Sequence, residues 1–520
     1  MAWKNGMVRF RMEEGVGKVE EIARVQTREM AVHRAAYFEK AFYEEGYAMA
    51  ESFALDDQVE SVGGVVNHHL LAKQFVADFF RHLSRQEPSV IVVVSPDHFA
   101  RGRGDISVSY AKWETPFGDI LPADEQIFDA VVKAHPRIII DEGAFDKEHG
   151  VRNLVGFVKY SLPETKLITA LVRQDAKKDV VNAFIHALVK SLPKDAVVIA
   201  SVDFSHYLPQ QVAEGHDAFT FAALQNGDFG WLAKAEVDSP QSLQTASGFA
   251  LAREAGNFLP MHRGNSAEFS RDTFATTSYV VGRYVAGEVV PMKYGSVMAF
   301  GDVIVGEDEC RDVQKMMGIV PEIARGVGLA TVRIAEVDEG CNVNGKNGFG
   351  LLNSFFVRSG VSVVDPRSSN DSRVMVNGNL RIATVVVHDD GSDEVIEDGV
   401  AEVRGIRERV DRVVVYVVWK NWKGEAREHE KEMVRGLVDA GVDVVIGFGG
   451  KVGEVVEYAG RPVVYSLGTM VGGSEGESLG VMVEFFATSI RLRKVPLLWD
   501  KERVTIRKEI NEEGIDFSYE

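Results

Sequence analysis

From about Gly63 to Gly287 the chain alternates short apolar runs with amphipathic stretches: "GGVV" then "LLAKQFVADFFRHL", "SVIVVV" then "DEQIFDAVVKAH", "KLITALV" then "VVNAFIHALVKSL". A run that is apolar at every position suits a strand packed on both faces, and apolar residues at helical spacing suit a helix lying on a sheet. The alternation predicts an α/β fold with a mainly parallel sheet flanked by helices, and "FATTSYVVGRYVAGE" reads as its last strand. A second alternation begins at "SVMAFGDVIVG" (296–306) and runs through "LATVRIAEV", "RVVVYVVW", the helical "REHEKEMVRGLVDAG", "VDVVIGFGG" and the hairpin "VVEYAGRPVVYSLG". The connector "AGEVVPMKYG" carries the Gly and Pro of a linker, so the expected domains are 1–290 and 291–520, both α/β. The amphipathic segment 18–53, with aromatics and methionines near helical spacing, reads as packed on the core, with a partner groove as the alternative. Residues 365–373, "DPRSSNDSR", read as a polar loop.

A chain of 520 residues is too long for one ordinary core, in agreement with that division. The formal charge of -19, with no Lys/Arg cluster, excludes a phosphate-binding stripe and argues against nucleic acid and against an anionic membrane surface. Cys310 and Cys341 are the only cysteines, too few for a disulfide framework or a thiolate zinc site. The first residues lack the apolar core of a signal peptide, and no stretch reaches the roughly 18 apolar residues of a membrane span. The expected location is the cytoplasm. "GRG" (102–104) and "GFGG" (447–450) lack the spacing of a dinucleotide fingerprint.

Eleven of the 13 histidines lie between His33 and His262, which places metal or proton chemistry in the first domain. Four histidine sites stand at element ends: His68 and His69 after "GGVV", Asp97 and His98 after "VIVVV", Glu148 and His149 in a polar turn before a helix, and Asp203 and His206 after "AVVIASV". Strand carboxyl ends of a parallel sheet share one rim, the edge where such sheets hold ligands. Neutral imidazoles with a carboxylate suit an Fe(II)-like ion, and a further histidine can move protons near neutral pH. Taken singly, Asp203 and Asp97 read equally well as turn or helix caps and His69 as a packed histidine.

The blocks "VVNHHLLA", "VSPDHFARG" with "WETPFGDI", "EHGVRNLVGFVKYSLPETKLITALV" and "ASVDFSH" resemble, in order and spacing, the Memo family, also called AmmeMemoRadiSam system protein B, over about residues 60–287. The resemblance implies a fold shared with LigB-type extradiol dioxygenases and Fe(II) or a similar divalent metal as cofactor. It puts metal ligands on His68 and His98 and an acid/base histidine on His206. Asp203 stands as its catalytic companion, and Asp97, Glu148 and His149 support the ligands. The family's third ligand, a cysteine in a Thr-x-Cys-Gly stretch, falls on Ser247 of "QTASG"; Asn67 and Arg152 replace a family proline and glutamate. A serine hydroxyl is a poor ligand beside a thiolate or carboxylate. Two outcomes follow: a carboxylate recruited locally completes the site, or the site binds metal weakly or not at all. The family name implies a radical SAM enzyme and an AMMECR-type protein as partners.

The stretch from "SVMAFGDVIVG" to "VVYSLGTMVGG" is similar to the CapA family of capsule and poly-glutamate synthesis proteins, which resembles metallophosphoesterases in fold, over about 296–485. Its histidines are missing here: Val418 precedes Trp419, "GFGGKV" stands at 447–452, Thr469 follows "SLG", and Asp302 alone remains in "GDV". A two-metal site needs several ligands on ions about 3.5–4 Å apart, so this half is expected to be catalytically silent. The sequence thus supports an enzyme-like, iron-dependent oxidoreductase, or alternatively a non-catalytic scaffold with both metal sites lost.

Overall fold

The computed structural model describes residues 30–50, 59–305, 312–337, 342–343, 346–364, 372–377, 379–472, 476–507 and 514–518. Cys310, Cys341, residues 18–29 and 51–53 of the amphipathic segment, and 365–371 of the polar loop lie outside them. The described part of the amphipathic segment holds the helix Lys40–Ala50, which buries Tyr43, Tyr47 and Ala50.

Four parallel strands form the centre of the first sheet, in the order Ser61–Val66, Val197–Ser201, Val90–Pro96, Lys166–Val172. All seven residues of Val90–Pro96 and all five of Val197–Ser201 are buried. Val90, Val92 and Val94 enter one hydrophobic core, whereas Ile91 and Val93 enter the other on the opposite face. Two apolar layers explain why these strands lack polar alternation. Both α/β halves match the architecture that the alternation predicts.

The sheet departs from parallel pairing at its edges. Thr276–Val285 pairs antiparallel with Ser61–Val66, with Asn257–Asn265 and with the short strand His206–Leu208. The strand Asn257–Asn265 escaped the sequence pattern because "NFLPMHRGN" has little apolar character and contains Pro260, a residue that sheets tolerate at edges and bulges. Its register shifts between Pro260 and His262.

The second half contains two facing sheets. One includes Tyr294–Val305, Leu329–Val337, Gly476–Phe486 and Ser489–Trp499; the other is ordered Arg373–Asn377, Leu380–His388, Arg412–Val418, Val444–Phe448, Arg461–Val464, Val455–Tyr458. Val297, Ala299, Val481 and Val483 of the first pack on Ile382, Val414, Tyr416 and Ile446 of the second. Among the described residues no helix is long and apolar enough to cross a membrane.

The helix Gln210–Asn226 lies between the halves and is buried over most of its length. Its Asp217 accepts a 2.7 Å hydrogen bond from Ser278 Oγ, and burial raises its carboxyl to about 7. An acid with a raised native pKa favours the native state only while protonated. Stability should therefore fall as pH rises from about 4 to 7 and stay low above. Asp217→Asn should leave stability at pH 4 little changed and increase it at pH 8 by roughly 1–4 kcal/mol, measured by urea unfolding. Equal wild-type and variant pH profiles would contradict this assignment.

Candidate metal centre

The carboxyl ends of three central strands deliver His68, His98 and Asp203 to one rim, since Val66 stands beside Ser201 and Val94 beside Ala200. A fourth group arrives from elsewhere. Asp238 precedes Ser239, which caps the helix Pro240–Ala252, and its carboxylate reaches into the same space. Asp238 Oδ2 lies 3.3 Å from His68 Nε2 and 3.5 Å from His98 Nε2, and Asp203 Oδ2 lies 3.3 Å from His68 Nε2. The ligand atoms of His68, Asp203 and Asp238 all fall within 4.8 Å of one another, as do those of His68, His98 and His149.

Hydrogen bonding decides where the imidazole protons sit. Ser201 Oγ donates to the Gly150 carbonyl at 2.6 Å, so towards His68 Nδ1, 3.1 Å away, it can only accept. Neutral His68 then carries its proton on Nδ1 and aims the bare Nε2 lone pair at two carboxylate oxygens. Lone pairs that face each other across 3.3 Å in a buried site repel unless a cation or proton lies between them. His98 is oriented in the same way: Nδ1 lies 2.6 Å from Glu148 Oε1, and its backbone N–H donates to Glu148 Oε2 at 3.0 Å. This carboxylate behind a ligand imidazole is the arrangement that fixes tautomer and ring direction at metal sites. Gly150 lets the backbone run close under the ring, because a Cβ there would meet Ser95 Oγ at 1.9 Å and His98 Cε1 at 3.4 Å.

The charges behave as an anion-rich site without its cation would. Burial, reinforced by the His98 and His149 charges, pushes His68 well below its ordinary pKa, so it stays neutral. Burial raises both Asp203 and Asp238 above the usual carboxylate range. Against the cost of its own burial, hydrogen bonds to Asp238 and Glu148 lift His98 to about 10. Burial opposes ionisation of Glu148, but the His98 contact outweighs it and holds that carboxyl below its ordinary value. One bound divalent ion would supply the positive charge that these groups otherwise take up as protons. The donor set of two imidazoles and carboxylates fits an Fe(II)-like ion.

The remaining residues singled out in the sequence fall in different places. Asp203 braces the rim: its Oδ1 accepts from the backbone N–H groups of His68 and His69 at 3.1 and 3.2 Å, and its own N–H donates to Asp238 Oδ2 at 3.0 Å. His149 stacks on His98 with ring centroids 4.0 Å apart, and burial lowers its pKa. Half-buried His206 feels the charges of Asp203, His98 and His69, and burial lowers its pKa against the pull of Asp203. Asp97 closes its own loop by accepting from the N–H groups of Arg101 and Gly102, so it shapes the turn that carries His98 and does not meet the ligand atoms. Arg152 Nε donates to the Arg34 carbonyl.

Ser247 is a correction. It lies in the helix Pro240–Ala252, which starts at the rim and runs back along the sheet, so seven residues at 1.5 Å each put it about 10 Å down the axis. There it is buried opposite Tyr284, whose strand neighbour is Gly63, three residues back from the rim end of Ser61–Val66. The group at the rim beside His68 and His98 is instead Asp238. A signal for it existed: Asp-Ser-Pro directly before a helix marks a start in which the serine caps and proline takes the first turn, leaving the aspartate free to point outward.

In the C-terminal half, Asp302 is buried and its Oδ2 accepts from Arg333 Nη1 at 2.9 Å. Burial raises its carboxyl to about 6.

Residues 67–282 match the family described as Memo-like protein, and residues 360–474 match the bacterial capsule synthesis protein PGA_cap. A MEMO1 family protein of Methanothermobacter thermautotrophicus is 32% identical over 133 residues, covering 25% of this chain and 47% of that protein. A MEMO1 family protein of Pyrobaculum aerophilum is 28% identical over 171 residues, covering 32% and 60%. The chain thus spans about half the length of the curated relatives it matches. Among solved structures, a phosphatase from Mycoplasma pneumoniae aligns with 44% of the chain and 94% of its own at a TM-score of 0.29 and 11% identity, a likeness too slight to carry an argument. The chain therefore joins a Memo-like domain, which carries the histidine and carboxylate cluster, to a PGA_cap-like domain.

Proposed function

We propose that this protein is a Memo-like metal-binding oxidoreductase of the non-haem iron class, in which His68, His98 and Asp238 hold one divalent ion. The observation that carries the proposal is the convergence of two imidazole Nε2 atoms on a single carboxylate oxygen, at 3.3 and 3.5 Å. When bound, such an ion supplies Lewis-acid and one-electron chemistry. The protein's own part is to keep Nε2 of both histidines unprotonated towards the ion, through Ser201 and Glu148, and to place Asp203 beside it. His206 stands at the open side of the rim, neutral and half-buried, as the group that accepts or donates a proton to a substrate.

The proposal extends to a radical SAM enzyme and an AMMECR-type protein as partners, which follow from the family resemblance, and to the cytoplasm as the site of action, the default for a sequence with two cysteines and no membrane-length apolar run. The PGA_cap-like half is catalytically silent in this reading. The observation behind that is the Asp302 to Arg333 pair, in which a guanidinium already neutralises the one carboxylate left from the metal-site pattern.

A scaffold without catalysis is the second reading. It is favoured by His98, which as an imidazolium bridges Glu148 and Asp238 and balances the site without a metal.

Protein purified without oxygen and reconstituted with Fe(II) should retain about one equivalent. His98→Ala and Asp238→Asn should each weaken binding at least about tenfold, and Ser247→Ala should leave it unchanged. Elemental analysis with a competing chelator measures this, and no uptake at neutral pH would leave the scaffold reading in place. Because bound ligands must be deprotonated, affinity should fall steadily as pH is lowered from 8 to 6. Separately, the chain should show no phosphatase activity towards an aromatic phosphate ester with added Mn(II). Turnover that disappears in Asp302→Ala would refute the silence of the second domain. Co-purification of the chain with a co-expressed radical SAM enzyme or AMMECR-type protein is expected, and recovery of neither removes the partnership.

A further inference from the structure

We propose that the C-terminal half serves the metal centre by holding the His206 strand in place, with His216 as the positioning residue at the seam. This inference rests on the reading of His206 as the proton-handling group of that centre.

The strand His206–Leu208 is a short edge of its sheet. It is three residues long and pairs as His206 with Thr277 and Leu208 with Thr276, with a register shift between them, while Ser278 N–H donates to the Ser205 carbonyl and Thr276 Oγ1 to the Leu208 carbonyl. Tyr207 in its middle has φ +56° and is 81% exposed, a backbone region that non-glycine residues occupy only when their surroundings impose it. So short an edge strand around a strained residue is steadied by packing from outside its own sheet.

That support comes from the second half. Leu208 and Val212 are 2% and 1% exposed and belong to the same apolar cluster as Met298, Phe300, Met482 and Leu497, so the end of the strand is built into the C-terminal core. Glu214 Oε2 meets Arg493 Nη1 at 2.7 Å, and Arg493 Nε donates to buried Glu484 at 2.7 Å. At Gly215 a Cβ would stand 2.2 Å from Met482 Sδ, so the helix Gln210–Asn226 approaches the second half as closely as a bare backbone allows.

His216 joins this helix to the rim. It is fully buried, and burial lowers its pKa to about 4, so the ring is neutral. Nε2 lies 3.0 Å from the carbonyl of Ile323, which can only accept, so Nε2 carries the proton. Nδ1 is then a pure acceptor and takes the proton of Ser205 Oγ, 3.2 Å away. Ser205 stands between Phe204, whose N–H donates to the Ser278 carbonyl, and His206 itself. The path therefore runs from an Ile323 carbonyl in the second half, through one imidazole of fixed tautomer, to the residue adjoining His206. Loss of that imidazole leaves Ser205 Oγ, next to His206, without its acceptor.

The test uses the full chain labelled with 15N-histidine, both metal-free and loaded with diamagnetic Zn(II). His206 is identified by the imidazole signal that is lost in His206→Gln. In His216→Phe and, independently, in Met482→Ala, the His206 signal should shift or broaden, whereas those of His68 and His98 hold. His216→Asn, which keeps an oxygen acceptor near the Nδ1 position, should restore part of the shift. A purely structural role would lower the unfolding midpoint without moving His206. An unmoved His206 signal in folded His216→Phe and Met482→Ala overturns the proposal. If His216→Phe does not fold, Glu214→Gln takes its place beside Met482→Ala under the same criterion. The metal-free measurement separates this outcome from failure of the metal reading, which appears only as absent metal uptake.

Discussion

Acceptors outnumber protons at the rim of the first sheet, and the rest of the N-terminal half is arranged around that imbalance. The proton of Ser201 is committed to Gly150, that of His68 to Ser201, and one of His98 to Glu148. What remains facing inward is a nitrogen lone pair on His68 and the oxygens of Asp203 and Asp238. Burial makes this costly, because unpaired acceptors in a low-dielectric site have no water to turn to. Two species relieve it, a divalent ion or a second proton on His98, and the choice between them is the choice between a metalloenzyme and a scaffold.

The four central strands hold this arrangement because they are apolar on both faces and therefore have one possible depth in the molecule. Sliding one by a residue would exchange its two sets of side chains between the two cores, so the ends that carry His68, His98 and Asp203 are fixed to within a fraction of a residue. That is also why these groups were legible in the sequence. A continuous apolar run names a buried parallel strand, and its first polar residues name the rim.

Legibility ended where position depends on a loop. Asp238 stands 35 residues beyond Asp203 in sequence, and only the path of the helix Gln210–Asn226 and the turn after it brings it back to the rim. Ser247 was read as a ligand because four residues matched a spaced motif. A helix advances 1.5 Å per residue, however, so nine residues after Asp238 the chain has already left the rim. The strand Asn257–Asn265 was missed for a related reason, since edge strands are held by pairing and not by apolar content.

The second half is joined to the first through its core and through buried charge pairs. Its Asp302 is bound to Arg333, its core includes Leu208 and Val212 from the first half, and its Arg493 holds Glu214. Changes at the seam would open a cavity beside Met482 or leave Glu484 charged and alone in the interior, each costing on the order of 2–5 kcal/mol. The contacts to the first half are thus ones that stability itself retains, whatever chemistry the second half carries.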